Sequence, residues 1–269
     1  MSSFATLNVS ISVLYFLLNK FYKKERYTMS ALTLKIIALV TMIIDHIGAI
    51  FFPQFIWIRY IGRISFPIYA FLLAQGFIHT HSRTKYAVRL FIFGIISEVP
   101  HDLAFHHEIL DTNGLNIMFE LFLGVLALAC LEVIKDEKSK IMTKLLSVVG
   151  LAIVLFSSAF FGASYGIYGI ALMIFFYLFD SKQKISSLTC IPVTYAFNGI
   201  KVIQFPIPNI FGNVMKLISY NTTQMWAVFS FIPIFFYNGK KGKYSLKWFF
   251  YSIYPIHLII LYLLDVYVF

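Results

Sequence analysis

At 269 residues, 59% hydrophobic and only 13% charged, with a mean hydropathy of +0.80, the chain is too apolar for a soluble globular domain, about half of which is apolar and about a quarter charged. The formal net charge of +10 does not imply nucleic acid as a partner, because basic residues collect in the cytoplasmic loops of membrane proteins. The composition predicts an all-α polytopic membrane protein embedded in a lipid bilayer, with about nine to ten transmembrane helices of about 20 residues each.

Taken in chain order, residues 4–19 form a short apolar run followed by Lys20, Lys23, Lys24 and Arg26. A cleaved secretory signal carries its positive charges before the apolar region, so this polarity argues against cleavage. The run is a first span with its N-terminus outside or a segment lying in the interface; alternatively, Met29 is the start and residues 1–28 are an extension. Further spans are expected at about 32–52, 55–78, 86–105, 115–134, 145–162, 165–179, 185–205, 215–237 and 248–267. Helices are required because lipid leaves no partner for unpaired backbone groups, and nothing alternates like a barrel strand. Cys130 and Cys190 both lie in apolar runs and read as small buried hydrophobes rather than as a disulfide or metal pair.

The loops fix the expected sidedness. Alternate connections hold Lys20 to Arg26, Arg83 and Lys85, Lys135 to Lys144, Lys182 and Lys184, and Lys240 to Lys247. The connections between them are uncharged or acidic, or carry lysines only near their ends. The positive-inside rule assigns the first set to the cytoplasm.

With that topology, Lys35 lies near the cytoplasmic face of the 32–52 span and Asp45-His46 lie in its outer half. A helical rise of 1.5 Å per residue separates Lys35 from His46 by about 16 Å. Arg59 and Arg63 enter from the outer face as i,i+4 neighbours. Glu98, Asn116 and the 165–169 Tyr-Gly pairs reach the same outer layer, and His257 lies near the middle of the last span. Charged or titratable groups at membrane depth are costly and mark candidate functional sites. Each also has a plain structural use: Arg59 snorkelling, Asp45 in an ion pair, His257 as a packed and hydrogen-bonded ring. The chain has no GxxxxGK[ST], HExxH or CxxC motif, so a P-loop and those metal sites are set aside.

Seven stretches resemble the TraX family. They are LKIIALVTMIIDHIGAIFF, IRYIGRISFPIYAFLLAQGFIHT, KYAVRLFIFGIISEVPHDLAF, LNIMFELFLGVLAL, YGIYGIAL, QMWAVFSFIPIFFYNGKKGK and FFYSIYPIHLIILYLL. The resemblance covers most of residues 32–264 and implies one TraX-like membrane domain over 29–269, with 1–28 outside the pattern. It also implies a bacterial inner-membrane location and acetyl-CoA-dependent acetylation, as of conjugative pilin N-termini. A weaker similarity links the chain to acyltransferase-3-type membrane enzymes, which carry an arginine, ten residues and a catalytic histidine in an early helix. Lys35 and His46 have that spacing with lysine in place of arginine, and Arg59 and Arg63 stand one residue further apart than the RxxR pair of those enzymes.

The expectation is therefore an acetyltransferase that takes acetyl-CoA from the cytoplasm and serves a peptide, pilin or envelope-glycan acceptor outside. Lys35, Arg83 and Lys85 would meet the CoA phosphates, and His46 would act as general base. Asp45 is its sequence neighbour, but adjacent helix positions diverge by about 100°, so another acid such as Glu98 would orient the imidazole. Arg63 or Asn116 would stabilise the oxyanion, and His257 is the other candidate base. The competing readings are a proton-coupled carrier and a non-enzymatic assembly factor for pili or secreted peptides.

Overall fold

Helix α1 (Ala31–Ile50) packs against the two helices that follow it and against the C-terminal helix. Its buried positions Leu34, Ala38, Met42 and Asp45 recur every three to four residues and form one face. At its start the Ser30 hydroxyl accepts from the Thr33 N–H at 3.2 Å, satisfying one of the free donors of the first turn. The N–H groups of Ala31 and Leu32 donate to the Lys240 and Lys241 carbonyls at 2.8 and 3.1 Å. These bonds strap the basic 238–243 loop across the start of α1. The computed structural model describes residues 29–111, 114–162, 164–198, 222–244 and 246–268. The expected span 4–19 and the 199–205 and 215–221 parts of the expected spans 185–205 and 215–237 lie outside the described residues.

The expected span 55–78 is divided into α2 (Ile56–Gly62) and α3 (Ser65–His79) by a turn at Arg63 and Ile64. Pro67 lies in the first turn of α3, where a missing N–H breaks no helical hydrogen bond. A Cβ at Gly62 would lie 2.1 Å from the Cβ of Asp45. Only glycine lets the backbone of α2 come that close to α1. The chain continues through α4 (Arg83–His106), α5 (Ile117–Lys135), α6 (Ile141–Phe160) and α7 (Gly166–Leu178). Short pieces α8 (Gln183–Leu188), α9 (Cys190–Asn198), α10 (Thr222–Met225) and α11 (Phe231–Phe235) lead to α12 (Lys247–Tyr267).

Among the described residues five segments are long and apolar enough to cross a bilayer: α1, α2 with α3, α5, α6 and α12. Helix α4 is 24 residues long but carries Arg83, Lys85, Arg89, Glu98 and Asp102, and α7 is a shorter apolar helix. The fold is thus an all-α membrane bundle. Its core is formed largely by α1, α3, α5 and α7, through Leu34, Phe66, Phe71, Phe77, Leu128, Met173 and Phe176. Helix α6 buries only Val154 and Ser158 among its residues and turns Ile141, Leu146, Phe156 and Phe160 outward, the pattern of a helix solvated by lipid rather than water.

The alternating helices sort the polar residues to two ends. Lys35, His79, Arg83, Lys135 and Lys247 collect at one end, where Arg83 donates to Glu132 at 2.5 Å. Asp45, Glu98, Asn116 and Asp265 lie toward the other, where His107 faces Asp265 at 3.3 Å.

Candidate active site

Helix α1 delivers Asp45 and His46 toward the less basic end, and each is held by a different part of the bundle. The Asp45 carboxylate accepts from Arg59 Nε at 2.8 Å and from Arg63 Nη2, so one carboxylate is shared by the two guanidiniums of α2 and the turn after it. Arg63 also donates from Nη1 to Gln224 Oε1 at 3.3 Å. The close α1–α2 approach at Gly62 is what brings these three side chains within bonding distance.

His46 is held by α12. Its Nδ1 lies 2.8 Å from His257 Nε2, with the two ring planes 13° apart. His257 Nδ1 lies 2.9 Å from the Ile253 carbonyl oxygen. A carbonyl only accepts, so His257 Nδ1 carries the proton, and in the neutral ring its Nε2 is then a lone pair. That lone pair accepts a hydrogen bond from the His46 Nδ1–H and leaves His46 Nε2 as the basic nitrogen. The edge of the Phe105 ring packs against the same imidazole at a centroid distance of 5.1 Å.

Beside His46 lies a cavity of about 380 Å³ lined by Asp45, His46, Arg59, Arg63, His101 and His106 along with apolar and aromatic residues. Phe66 and Tyr165 stack in its wall, with ring centroids 3.6 Å apart. A second cavity, of about 250 Å³, shares Tyr69, Met118, Leu121 and Phe250 with the first. A third, of about 340 Å³, shares Lys35, Leu72, Gly76 and Phe250 with the second. Through these shared wall residues the three adjoin one another from His46 to the basic end. Lys35, Arg89 and Lys247 line the second cavity, Lys35, Lys241 and Lys243 line the third, and among the described residues no carboxylate lines either. That donor set fits a polyanionic nucleotide, and the narrow apolar walls beyond it fit an uncharged arm.

The other expected site residues have these positions. Lys35 lines both inner cavities, with its Nζ 5.3 Å from the centroid of the Phe250 ring. Arg83 pairs with Glu132 and lies over Phe77, and neither it nor Lys85 lines any of the three cavities. Asn116 is fully buried and caps α5, with Oδ1 accepting from the Met118 N–H at 2.9 Å. Its Nδ2 donates to the Gly94 carbonyl at 2.8 Å and to Glu98 Oε2, which spends both amide protons. Glu98 therefore braces Asn116, and the nitrogen bonded to His46 belongs to His257. Among the described residues no three His, Cys, Asp or Glu side chains converge as a metal site. Arg89, Lys241, Lys243 and Lys247 are the site residues that sequence reasoning did not single out. The run of lysines at 240–247 was visible, but only as a marker of sidedness.

A probable fimbrial assembly protein, FimC of serogroup H1, from Dichelobacter nodosus is 26% identical over 246 residues, covering 86% of this chain and 94% of that one. An uncharacterized protein of Rickettsia prowazekii, RP591, is 33% identical over 91 residues, about a third of each chain. No solved structure matches. The TraX protein family matches residues 30–265, and the chain belongs to that family.

Proposed function

We propose that the protein is a membrane acetyltransferase that takes an acetyl group from cytoplasmic acetyl-CoA and passes it to an amine or hydroxyl at the outer side of the membrane. The observation that carries this reading is the series of overlapping cavities, five cations at one end and the His46–His257 pair at the other. The family's association with pilin acetylation and the fimbrial relative point the same way.

Lys35, Arg89, Lys241, Lys243 and Lys247 would hold the phosphates at the mouth. The cofactor's thioester supplies an activated acetyl group at the end of a long uncharged arm, and about 16 Å of α1 between Lys35 and His46 gives the depth that arm must reach. His46 Nε2 takes the proton of the acceptor N–H or O–H as the acceptor attacks the acetyl carbon. The carbon–sulfur bond breaks, and His46 returns the proton to the departing sulfur. His257 keeps the accepting nitrogen of His46 on Nε2 throughout. Arg63, with Asp45 fixing its plane, is placed to balance the negative charge that develops on the carbonyl oxygen.

The test is acetyl transfer in proteoliposomes given radiolabelled acetyl-CoA from the basic side only, together with intact-mass analysis of surface peptides and glycans from cells with and without the protein. Label appearing on an acceptor on the opposite side supports the reading. Counterflow of a solute without acetyl transfer would replace it with a carrier.

A further inference from the structure

Transfer to an amine leaves one proton over. An amino group at neutral pH is mostly an ammonium and attacks only after losing a proton. The nitrogen loses a second proton as it bonds to the acetyl carbon, and His46 carries that one to the departing sulfur. The first proton needs a base of its own in the His46 cavity and a way out to water.

The groups around the cavity leave one such base. Asp45 is the counter-ion of Arg59 and Arg63, and both of its oxygens are engaged. Glu120 is fully buried beside the wall. Its Oε2 accepts from the Gly166 N–H at 3.1 Å, capping the start of α7. Its Oε1 has no hydrogen-bond partner among the described residues, but a Cβ at Gly169 would lie 2.5 Å from it, and Glu120 does not line the cavity. Glu98 is bonded to Asn116 and stands outside the lining as well. The tyrosines of the wall are phenols, protonated at neutral pH. His106 faces Asp111 at 3.4 Å, and its side chain is 45% exposed. His101 lines the cavity with its side chain only 18% exposed. Its ring and that of His46 each lie 5.1 Å from the Phe105 ring, centroid to centroid.

Asp102 sets the tautomer of His101. The carboxylate is fully buried; its Oδ2 accepts from the Asp111 N–H at 2.8 Å, and its Oδ1 lies 3.0 Å from His101 Nδ1. Nδ1 is the ring nitrogen nearer the backbone, so the next residue of the same helix can reach it. A carboxylate oxygen only accepts, so Nδ1 carries the proton and Nε2 is the lone pair. We infer that His101 is a second catalytic base: its Nε2 takes the first proton from the acceptor's ammonium and gives it to water at the less basic end, leaving a neutral amine for His46. Asp102 is its positioning residue. The inference rests on the acetyl-transfer reading and deepens it for an amine acceptor. The charged and titratable groups facing His101 are His46 from α1, Arg59 and Arg63 from α2 and its turn, Glu98, Asp102 and His106 on α4 itself, and Asp111 from the loop that follows. Helix α5 brings only Ile117, Met118 and Leu121 to that wall, and α12 places His257 behind His46.

The experiment measures acetyl transfer by the full chain in nanodiscs, across the range from mildly acidic to mildly alkaline pH, to two acceptors of equal length. One is the dipeptide amide Ala-Ala, an ammonium at neutral pH; the other is aminooxyacetyl-alanine amide, whose terminal amine is already neutral there. An α-amino group has a pKa of about 7.7–8.0, so roughly a tenth of the dipeptide is neutral at about pH 7. His101→Asn keeps a donor for Asp102 but removes the base. Restricted to the neutral fraction, it should lose about tenfold in kcat/KM with the dipeptide at neutral pH, recover as the pH rises past the pKa of the amine, and lose less than about threefold with the aminooxy acceptor. Asp102→Asn, whose amide can donate to Nδ1 and so move the imidazole proton to Nε2, should show the same pattern, so the test does not hang on one variant folding. Equal losses with both acceptors, or a loss that does not change with pH, would mark a structural role and overturn the inference. The expected pattern in Glu120→Gln but not in His101→Asn would give the role to Glu120 and overturn it too. Failure of the wild-type protein to acetylate either acceptor would instead reject the acetyl-transfer reading on which the inference rests.

Discussion

Around His46 the polar groups hold one another, whereas around Lys35 the cations are held by aromatic rings. Asp45 fixes Arg59 and Arg63, Ile253 fixes His257, and His257 fixes His46. At the mouth, Lys35 lies over Phe250, Arg89 over Tyr86, Lys243 over Tyr244 and Lys247 over Trp248, at 5.0 to 5.7 Å from the ring centroids. A ring face steadies a cation without neutralising it. One end is thus arranged for geometry and the other for field. A single lost contact should be severe in the first, while losses at the second should accumulate.

The largest test of that contrast is His46→Ala. Loss of a general base costs about 10²- to 10⁴-fold in rate, and nucleotide binding should survive because the cations lie in the other cavities. A folded variant turning over within about threefold of wild type would end the assignment. Next is His257→Ala, which leaves the base in place but frees its tautomer and ring angle. Misplacement of a reacting group costs up to about a hundredfold, so kcat should fall less than in His46→Ala, with little change in KM for acetyl-CoA. An equal loss in both variants would mean that the pair acts as one unit or that His257 carries the chemistry.

Gly62→Ala sharpens the comparison through stability. Its new methyl would collide with Asp45, and overpacking of this kind typically costs about 1–3 kcal/mol. The melting temperature should fall, and activity should fall with it. An unchanged melt would show that α1 and α2 separate easily. The smallest expected effects lie at the mouth: Lys35→Ala or Lys247→Gln alone should raise KM for acetyl-CoA a few-fold, leave kcat nearly intact and steepen with salt. The double variant should multiply the two changes. Arg83→Gln is the comparator, since its half-exposed pair with Glu132 is of the kind worth about 0–1 kcal/mol and it lines none of the three cavities.

Much of this was legible in the sequence. The helices follow from long apolar runs, and the gathering of Asp45, His46, Arg59 and Arg63 at one depth follows from counting residues along alternating spans. Rotation was not legible. Nothing in the period of an apolar helix says that His257 turns toward His46, because a histidine among aromatic residues fits either face. The split between α2 and α3 was hidden because a turn built of Arg63 and Ile64 carries no loop composition. At the mouth, Arg83 and Lys85 looked equivalent to Arg89, and only the helix angle decides which of them faces inward. The strap between the 238–243 loop and the start of α1 joins segments some two hundred residues apart through backbone groups, which have no sequence signature at all.

The cavities meet at a neck formed by Tyr69, Met118, Leu121 and Phe250. Three of those four side chains have no oxygen or nitrogen to hold a file of water. A protein hollow from both sides is a hole in an electrical insulator unless something closes it, and here the closure is a few side chains thick. In the proposed reaction, the neck that would admit a thioester arm must also block ions and protons when the arm is absent. The membrane potential, which falls across the whole bilayer elsewhere, would then be concentrated over this short stretch, next to the histidine proposed to handle the proton.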